Sequence, residues 1–221
     1  MINVFADQNI LESLGSFKLG IIQADIICAV TTGELQKFML ETVSIIKDRY
    51  NLKNIKLNVN IDATRRAYRK IGNDPNRYRP AADSLIRRIV KDLGLYSVNN
   101  VVDVLNIVSI RSGYSISGFD RSKIQGDMHI GIGLKNEPYK GISRGEFNIQ
   151  DLPVLRDKAG AFGTPTSDSE RTMILRETKR IVFIFYDFND KTSCEESLDY
   201  CENLLLQFCS ASGIEKKILQ L

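Results

Sequence analysis

The 221-residue chain has no tryptophan, one histidine, five prolines and four cysteines, and no apolar run approaching the roughly 18 residues of a membrane span. Each scarcity excludes something. With His129 as the sole histidine, no site needing two imidazoles can form, and any scheme needing one must use that residue. Cys28, Cys194, Cys201 and Cys209 contain no C-x-x-C pair, so a structural zinc centre lacks its usual ligand spacing and no metal is expected. Three of them recur at seven and eight residues in a segment of helical periodicity, as small buried residues of a reducing compartment would. The N-terminal residues Met1 to Ala6 lack a basic stretch followed by a long apolar one, so no secretory signal is expected and the reading is cytoplasmic.

The remaining composition, 43% apolar and 26% charged, is that of an ordinary globular protein, and the length fits one domain over residues 1–221. The net charge of +3 is unevenly placed. Residues 62–91 carry nine Lys and Arg against three Asp, a net +6, which leaves −3 for the rest. A basic block on a mildly acidic body is the footprint of a phosphate-binding surface, and equally of two solvated helices with arginine-rich outer faces.

The pattern predicts strands near Ile2 to Phe5 and Leu19 to Cys28. A helix follows from Thr31, where Thr31 and Glu34 have capping-box spacing. The alternation Ile55, Leu57, Val59, Ile61 suggests a further strand or an irregular segment. Asp62 is a possible cap for a helix to Ile71, ended by Gly72 and Pro75, and Pro80 opens another. A third, more buried helix holds Val101, Val102, Leu105 and Val108. Its polar line Asn99, Asp103, Asn106 and Ser109 either caps neighbouring backbone or lines a polar cavity.

Beyond Gly113 the pattern changes to short strands, at 127–133, 145–149 and 180–188, with a Gly-, Ser- and Thr-rich loop over 160–172 and a closing helix over about 192–212. Helices early and strands late predict an α+β fold, a mixed or antiparallel sheet with helices packed on it.

The run Gly113-Tyr114-Ser115-Ile116-Ser117-Gly118 resembles a nucleophile elbow with its second glycine one residue late, and Gly131-x-Gly133 lacks the third glycine of a dinucleotide fingerprint. The densest polar run is Thr164 to Thr172, whose Ser167 and Glu170 also have capping-box spacing. So many hydroxyl and acidic side chains without an apolar anchor suggest a ligand-facing loop.

Three segments, Asp74-Pro75-Asn76-Arg77-Tyr78-Arg79-Pro80, then Val98-Asn99-Asn100-Val101-Val102-Asp103-Val104-Leu105-Asn106, then Gly118-Phe119-Asp120-Arg121-Ser122-Lys123-Ile124-Gln125-Gly126-Asp127, resemble the editing domain of the bacterial phenylalanyl-tRNA synthetase beta subunit, in particular its free-standing relatives. The likeness spans about 63–188, between an N-terminal strand and helix portion (1–62) and a C-terminal helix (189–221). It implies a tRNA-binding protein that hydrolyses mischarged aminoacyl-tRNA in trans, without aminoacylation activity and without a cofactor. The partner it implies is the tRNA 3′ end. The basic block would then be the phosphate-contacting surface, through Arg65, Arg66, Arg69, Arg77 and Arg79.

The expected catalytic residues are Asp168 or Asp127, to orient water or the substrate ammonium, together with Ser117 and Gly118. Backbone amides near Gly118 or Ser167 would hold the carbonyl oxygen. The expected pocket comprises Asn106, Ser109, Tyr114, Thr166, Ser167, Arg171 and Thr172. Ser117 stands where the synthetase domain has a histidine, and apolar residues around Phe183 and Ile184 stand where it has a glutamate. Both help select tyrosine there, so the resemblance does not carry tyrosine selection onto this chain. A non-catalytic RNA-binding module and a hydrolase of small amino-acid derivatives are the alternatives.

Overall fold

A computed structural model of the chain describes residues 1–189 and 191–221. The elements run β1 (Val4–Ala6), α1 (Gln8–Leu14), β2 (Lys18–Asp25), α2 (Gly33–Arg49), α3 (Val59–Lys70), α4 (Ala81–Val90), α5 (Asn100–Ser112) and β3 (Ile116–Asp120). They continue with β4 (Met128–Ile132), β5 (Lys140–Gly141), β6 (Gly145–Glu146), β7 (Pro153–Asp157), β8 (Gly160–Gly163), β9 (Arg180–Asp187), α6 (Glu195–Cys209) and β10 (Ser212–Gln220). The architecture is α+β, as the order of patterns predicts. One four-stranded sheet has the order β1-β4-β7-β8, with β1 parallel to β4. A second, wholly antiparallel, has the order β10-β2-β9-β3, and β5 and β6 form a small hairpin.

Side-chain alternation along β9 builds the layers. Val182, Ile184 and Tyr186 turn with Leu19 and Ile21 toward the first sheet, where they meet Met128, Ile130, Leu155 and Phe162. Ile181, Phe183 and Phe185 turn the other way, with Ile22 and Ala24, under α2, α5 and α6. A strand buried on both faces reads as a continuous apolar run, which is what 181–186 is. All four cysteines are free and buried in or beside this helix-covered core, where burial pushes the thiols of Cys194 and Cys209 up to about 12.

Several local expectations are corrected. The stretch 55–61 is not a strand: Ile55–Leu57 make one 3-10 turn, and Asn58, not Asp62, caps α3 by accepting from the amides of Asn60 and Ile61. Asp62 sits a turn later and pairs with Arg66. The cap of α2 is Thr32, whose hydroxyl accepts from Leu35 N, while Thr31 donates to Asp103. The closing helix stops at Cys209, and residues 212–220 form an edge strand beside β2. Its solvent-rich sequence, with Glu215, Lys216 and Lys217, hides it from a hydropathy reading. Among the described residues no helix is long and apolar enough to cross a membrane.

Candidate functional site

β3 is the edge of the second sheet opposite β10, and the segment 164–168 covers it. The N–H of Gly118 donates to Asp168 Oδ2 at 3.0 Å, and the Ser117 hydroxyl donates to Asp168 Oδ1 at 2.6 Å. Two consecutive residues of one strand thus hold both oxygens of one carboxylate. Ser117, 1% exposed, has a single hydroxyl proton committed to Asp168, so the Tyr186 hydroxyl 3.0 Å away must be the donor in their contact. The result is a short relay, Tyr186 to Ser117 to Asp168.

Burial raises the Asp168 pKa to about 7, against the opposing pull of its bonds to Ser117 and Gly118. Burial likewise lifts the Tyr186 phenol well above its ordinary value, so it stays a donor at neutral pH. The covering segment is fixed by its own turn chemistry: Thr164 Oγ1 accepts from the amides of Thr166 and Ser167 and donates to Ser167 O. Neighbours clamp it from outside, with Tyr139 donating to Ser167 O at 2.6 Å, Ile142 N to Asp168 O at 2.9 Å and Ala81 N to Pro165 O at 2.8 Å.

Asp168 opens onto a cavity of about 440 Å³ between α4, α5, the β3 edge and the segments 142–144, 164–168 and 173–175. Leu85, Val102, Leu105, Ile116, Met173 and Ile174 supply much of an apolar lining. Gly118 sits where that lining meets the carboxylate: a Cβ there would lie 2.5 Å from Leu105 Cδ1 and 3.1 Å from Phe183 Cε1, so any larger residue would have to displace the Leu105 side chain. Asn106 faces the cavity half-buried, and its amide makes no hydrogen bond among the described residues. The polar line of α5 therefore divides. Asn99 caps Val102 N, Asp103 accepts from Thr31, Ser97 and Val98, and Ser109 donates to Tyr114 O. Only Asn106 is left for a ligand.

Of the expected residues, Asp168, Gly118, Asn106, Ser109, Thr166 and Ser167 line this cavity, and Ser117 stands directly behind Asp168. Thr166 shares its hydroxyl with Tyr68 at 2.8 Å. Asp127 does not join them: it is exposed and accepts from Asn3. Tyr114 lies under a different surface depression, beside Arg111 and Tyr200. Arg171 pairs with Asp157 at 2.8 Å outside the cavity, and Thr172 is buried in the 3-10 turn 170–172. That turn is capped by Ser169, not Ser167. The amides expected to hold a carbonyl oxygen are already used, Gly118 by Asp168 and Ser167 by Thr164. His129 is exposed on β4, 3.5 Å from Asp7, and does not line the cavity.

The basic block divides as well. Arg66, Arg69, Arg77 and Arg79 are exposed. Arg65 is 4% exposed and holds Asp83 Oδ2 at 2.9 Å, Pro75 O at 3.0 Å and Asn76 Oδ1 at 2.7 Å, so it is no phosphate contact. Its charge serves the fold, because a buried ion must be paired and bonded on several sides. Sequence reading missed Arg144, which lines the cavity, and Tyr186, whose hydroxyl sits in an apolar strand run. Among the described residues no three His, Cys, Asp or Glu side chains converge as a metal-ligand group.

The site is thus a carboxylate held at a sheet edge and facing a largely apolar cavity, on an α+β scaffold. The particular family follows from comparison: the model of the B3/4 domain matches residues 63–209, and this chain belongs to that family. It is 31% identical over 74 residues to the phenylalanine–tRNA ligase beta subunit of Aquifex aeolicus, a match covering 33% of this chain and 10% of that protein. To the same subunit of Bartonella henselae it is 22% identical over 166 residues, covering 63% of this chain and 21% of that protein. The matches thus span about a tenth and about a fifth of those relatives. Among solved structures, an N-terminal fragment of the phenylalanyl-tRNA synthetase beta subunit from Pyrococcus horikoshii aligns with a TM-score of 0.49 at 12% identity, over 99% of this chain and 53% of that one.

Proposed function

We propose that this B3/4-domain chain binds the aminoacylated 3′ end of a tRNA and hydrolyses the ester that joins amino acid to ribose. The observation that carries the reading is Asp168, a carboxylate with a pKa near 7, held by Ser117 and Gly118 at the wall of a cavity large enough for an aminoacyl group. An aminoacyl ester is already activated. Its hydrolysis needs a positioned water, a base of near-neutral pKa and some neutralisation of charge on the carbonyl oxygen.

Asp168 in its ionised form accepts a proton from the attacking water, and the relay from Tyr186 through Ser117 fixes the carboxylate's orientation. Since the Gly118 and Ser167 amides are engaged, the Asn106 amide and the Arg144 guanidinium at the cavity wall serve as donors for the carbonyl oxygen, with the hydroxyls of Ser84 and Tyr96 lining the same space. The similarity to phenylalanine–tRNA ligase beta subunits and the exposed Arg66, Arg69, Arg77 and Arg79 support tRNA as the carrier of the ester.

Deacylation of a panel of mischarged tRNAs, beside free aminoacyl esters and across a salt series, tests the reading. Asp168→Ala is expected to lower turnover at least a hundredfold with tRNA affinity within twofold of the parent. Unchanged turnover removes Asp168 from the chemistry. Hydrolysis insensitive both to tRNA and to salt would instead identify a hydrolase of small amino-acid derivatives, and tRNA binding with no hydrolysis of any ester a non-catalytic RNA-binding module.

A further inference from the structure

The turn after α3 and the β5–β6 hairpin bring four side chains into one line. The Arg77 guanidinium lies over the Tyr78 ring at 5.3 Å, and the Tyr78 ring meets the Phe147 ring edge-on at 5.7 Å. The Arg144 guanidinium lies over Phe147, again at 5.3 Å, and Arg144 also lines the Asp168 cavity. Arg77 and Arg144 are exposed, and the two rings are half-buried against Tyr139, Ile149 and Leu152. A pair of aromatic rings flanked by two cations therefore runs from the exposed basic turn to the cavity. This is the composition by which proteins hold unpaired nucleotides, with bases stacking on flat faces and phosphates meeting the charges beside them.

The start of the line is also preorganised. The buried Arg65 grips Pro75 O and Asn76 Oδ1, the Asp74 carboxylate accepts from Asn76 N, and Asp83 anchors Arg65 from α4. A turn fixed in this way presents Arg77 and Tyr78 without an ordering cost at the moment of binding.

We propose that Arg77, Tyr78, Phe147 and Arg144 form a stacking track that takes a single-stranded RNA 3′ end and leads it toward Asp168. The track rests on the reading that the cavity receives the end of a tRNA, and names the surface over which that end arrives. It calls for unpaired nucleotides: the rings lie partly sunk between other side chains, and bases already stacked in a duplex offer them no free face.

The test uses the whole chain and two fluorescein-labelled uncharged RNAs, a twelve-nucleotide single strand and a blunt-ended hairpin, followed by anisotropy at several salt concentrations. The single strand is expected to bind at least tenfold more tightly than the hairpin. Phe147→Leu and Tyr78→Leu, which keep apolar volume and remove the π face, are each expected to weaken single-strand binding about tenfold and leave hairpin binding within twofold. Arg77→Gln and Arg144→Gln touch no buried group, so they remain informative if a ring variant folds poorly; each is expected to weaken binding and flatten its salt dependence. Preference for the hairpin, or affinity indifferent to all four changes, overturns the track. Asp168→Asn separates the two ideas. Track-dependent binding that survives in this variant, with no ester hydrolysis by the parent, sinks the deacylase and leaves the track standing. Hydrolysis of charged tRNA by a protein whose RNA binding is indifferent to the four changes does the reverse.

Discussion

At the scale of single residues, the proposed chemistry rests on Asp168 and on what lies behind it. If it acts as a base, turnover should rise with pH and level off above about 7, following its ionisation in a pH–rate profile. Tyr186→Phe removes the donor that commits Ser117's proton, weakens support for the carboxylate and should move that midpoint upward; an unmoved midpoint would take Tyr186 out of the relay. Stability carries the same signature. Because the folded-state pKa is raised, the folded protein holds a proton that the unfolded chain releases near pH 4. Asp168 therefore costs stability as pH rises from about 4 to about 7. Urea melts across that range should show a shallower decline for Asp168→Asn than for the parent, with the two curves diverging most above pH 7. Asp168 is legible in the sequence because it sits in a polar run with no apolar anchor. Its partners are not. Nothing local connects Ser117 to a residue 51 positions away, and Tyr186 closes the apolar run 181–186, where it reads as one more core side chain.

At the scale of elements, charge and periodicity are legible but burial is not. The arginines of α3 and the turn after it look alike in the sequence, yet Arg65 is enclosed and Arg66, Arg69, Arg77 and Arg79 are exposed. The difference appears only when α4 delivers Asp83, wholly buried, to the Arg65 guanidinium. Arg65→Ala should therefore cost about 3 to 5 kcal/mol in denaturant unfolding, because Asp83 would lose its principal buried counter-ion, whereas each exposed arginine should change stability by less than about 0.5 kcal/mol. The misread stretch 55–61 has a comparable cause. Alternation over four apolar positions fits a strand, but Asn58 offers its carboxamide to two amides and starts a helix instead. Asn58→Ala should cost about 1 kcal/mol, read in the same melts. The strand after α6 escaped because an edge strand with one face in water carries little hydropathy signal.

For the molecule as a whole, the basic block identified by counting is a mixture of a structural ion pair and a set of exposed arginines. If the exposed part meets phosphates, each arginine removed should reduce the slope of log affinity against log salt by about 0.7 to 0.9. Arg65 can be compared only through Lys, which keeps the charge inside and should leave the slope unchanged. The layered fold explains why cavity and carboxylate lie where they do: one sheet is shared between two cores, and β3 is its open margin. An open margin is also a hazard, because its unpaired backbone groups can recruit a strand from another chain. The segment 164–168 closes it, with Asp168 taking the amide of Gly118 that a foreign strand would otherwise claim. The carboxylate proposed for hydrolysis thus also occupies an edge amide, and a protein lacking it is expected to be more prone to edge-to-edge aggregation during folding, before any substrate is met.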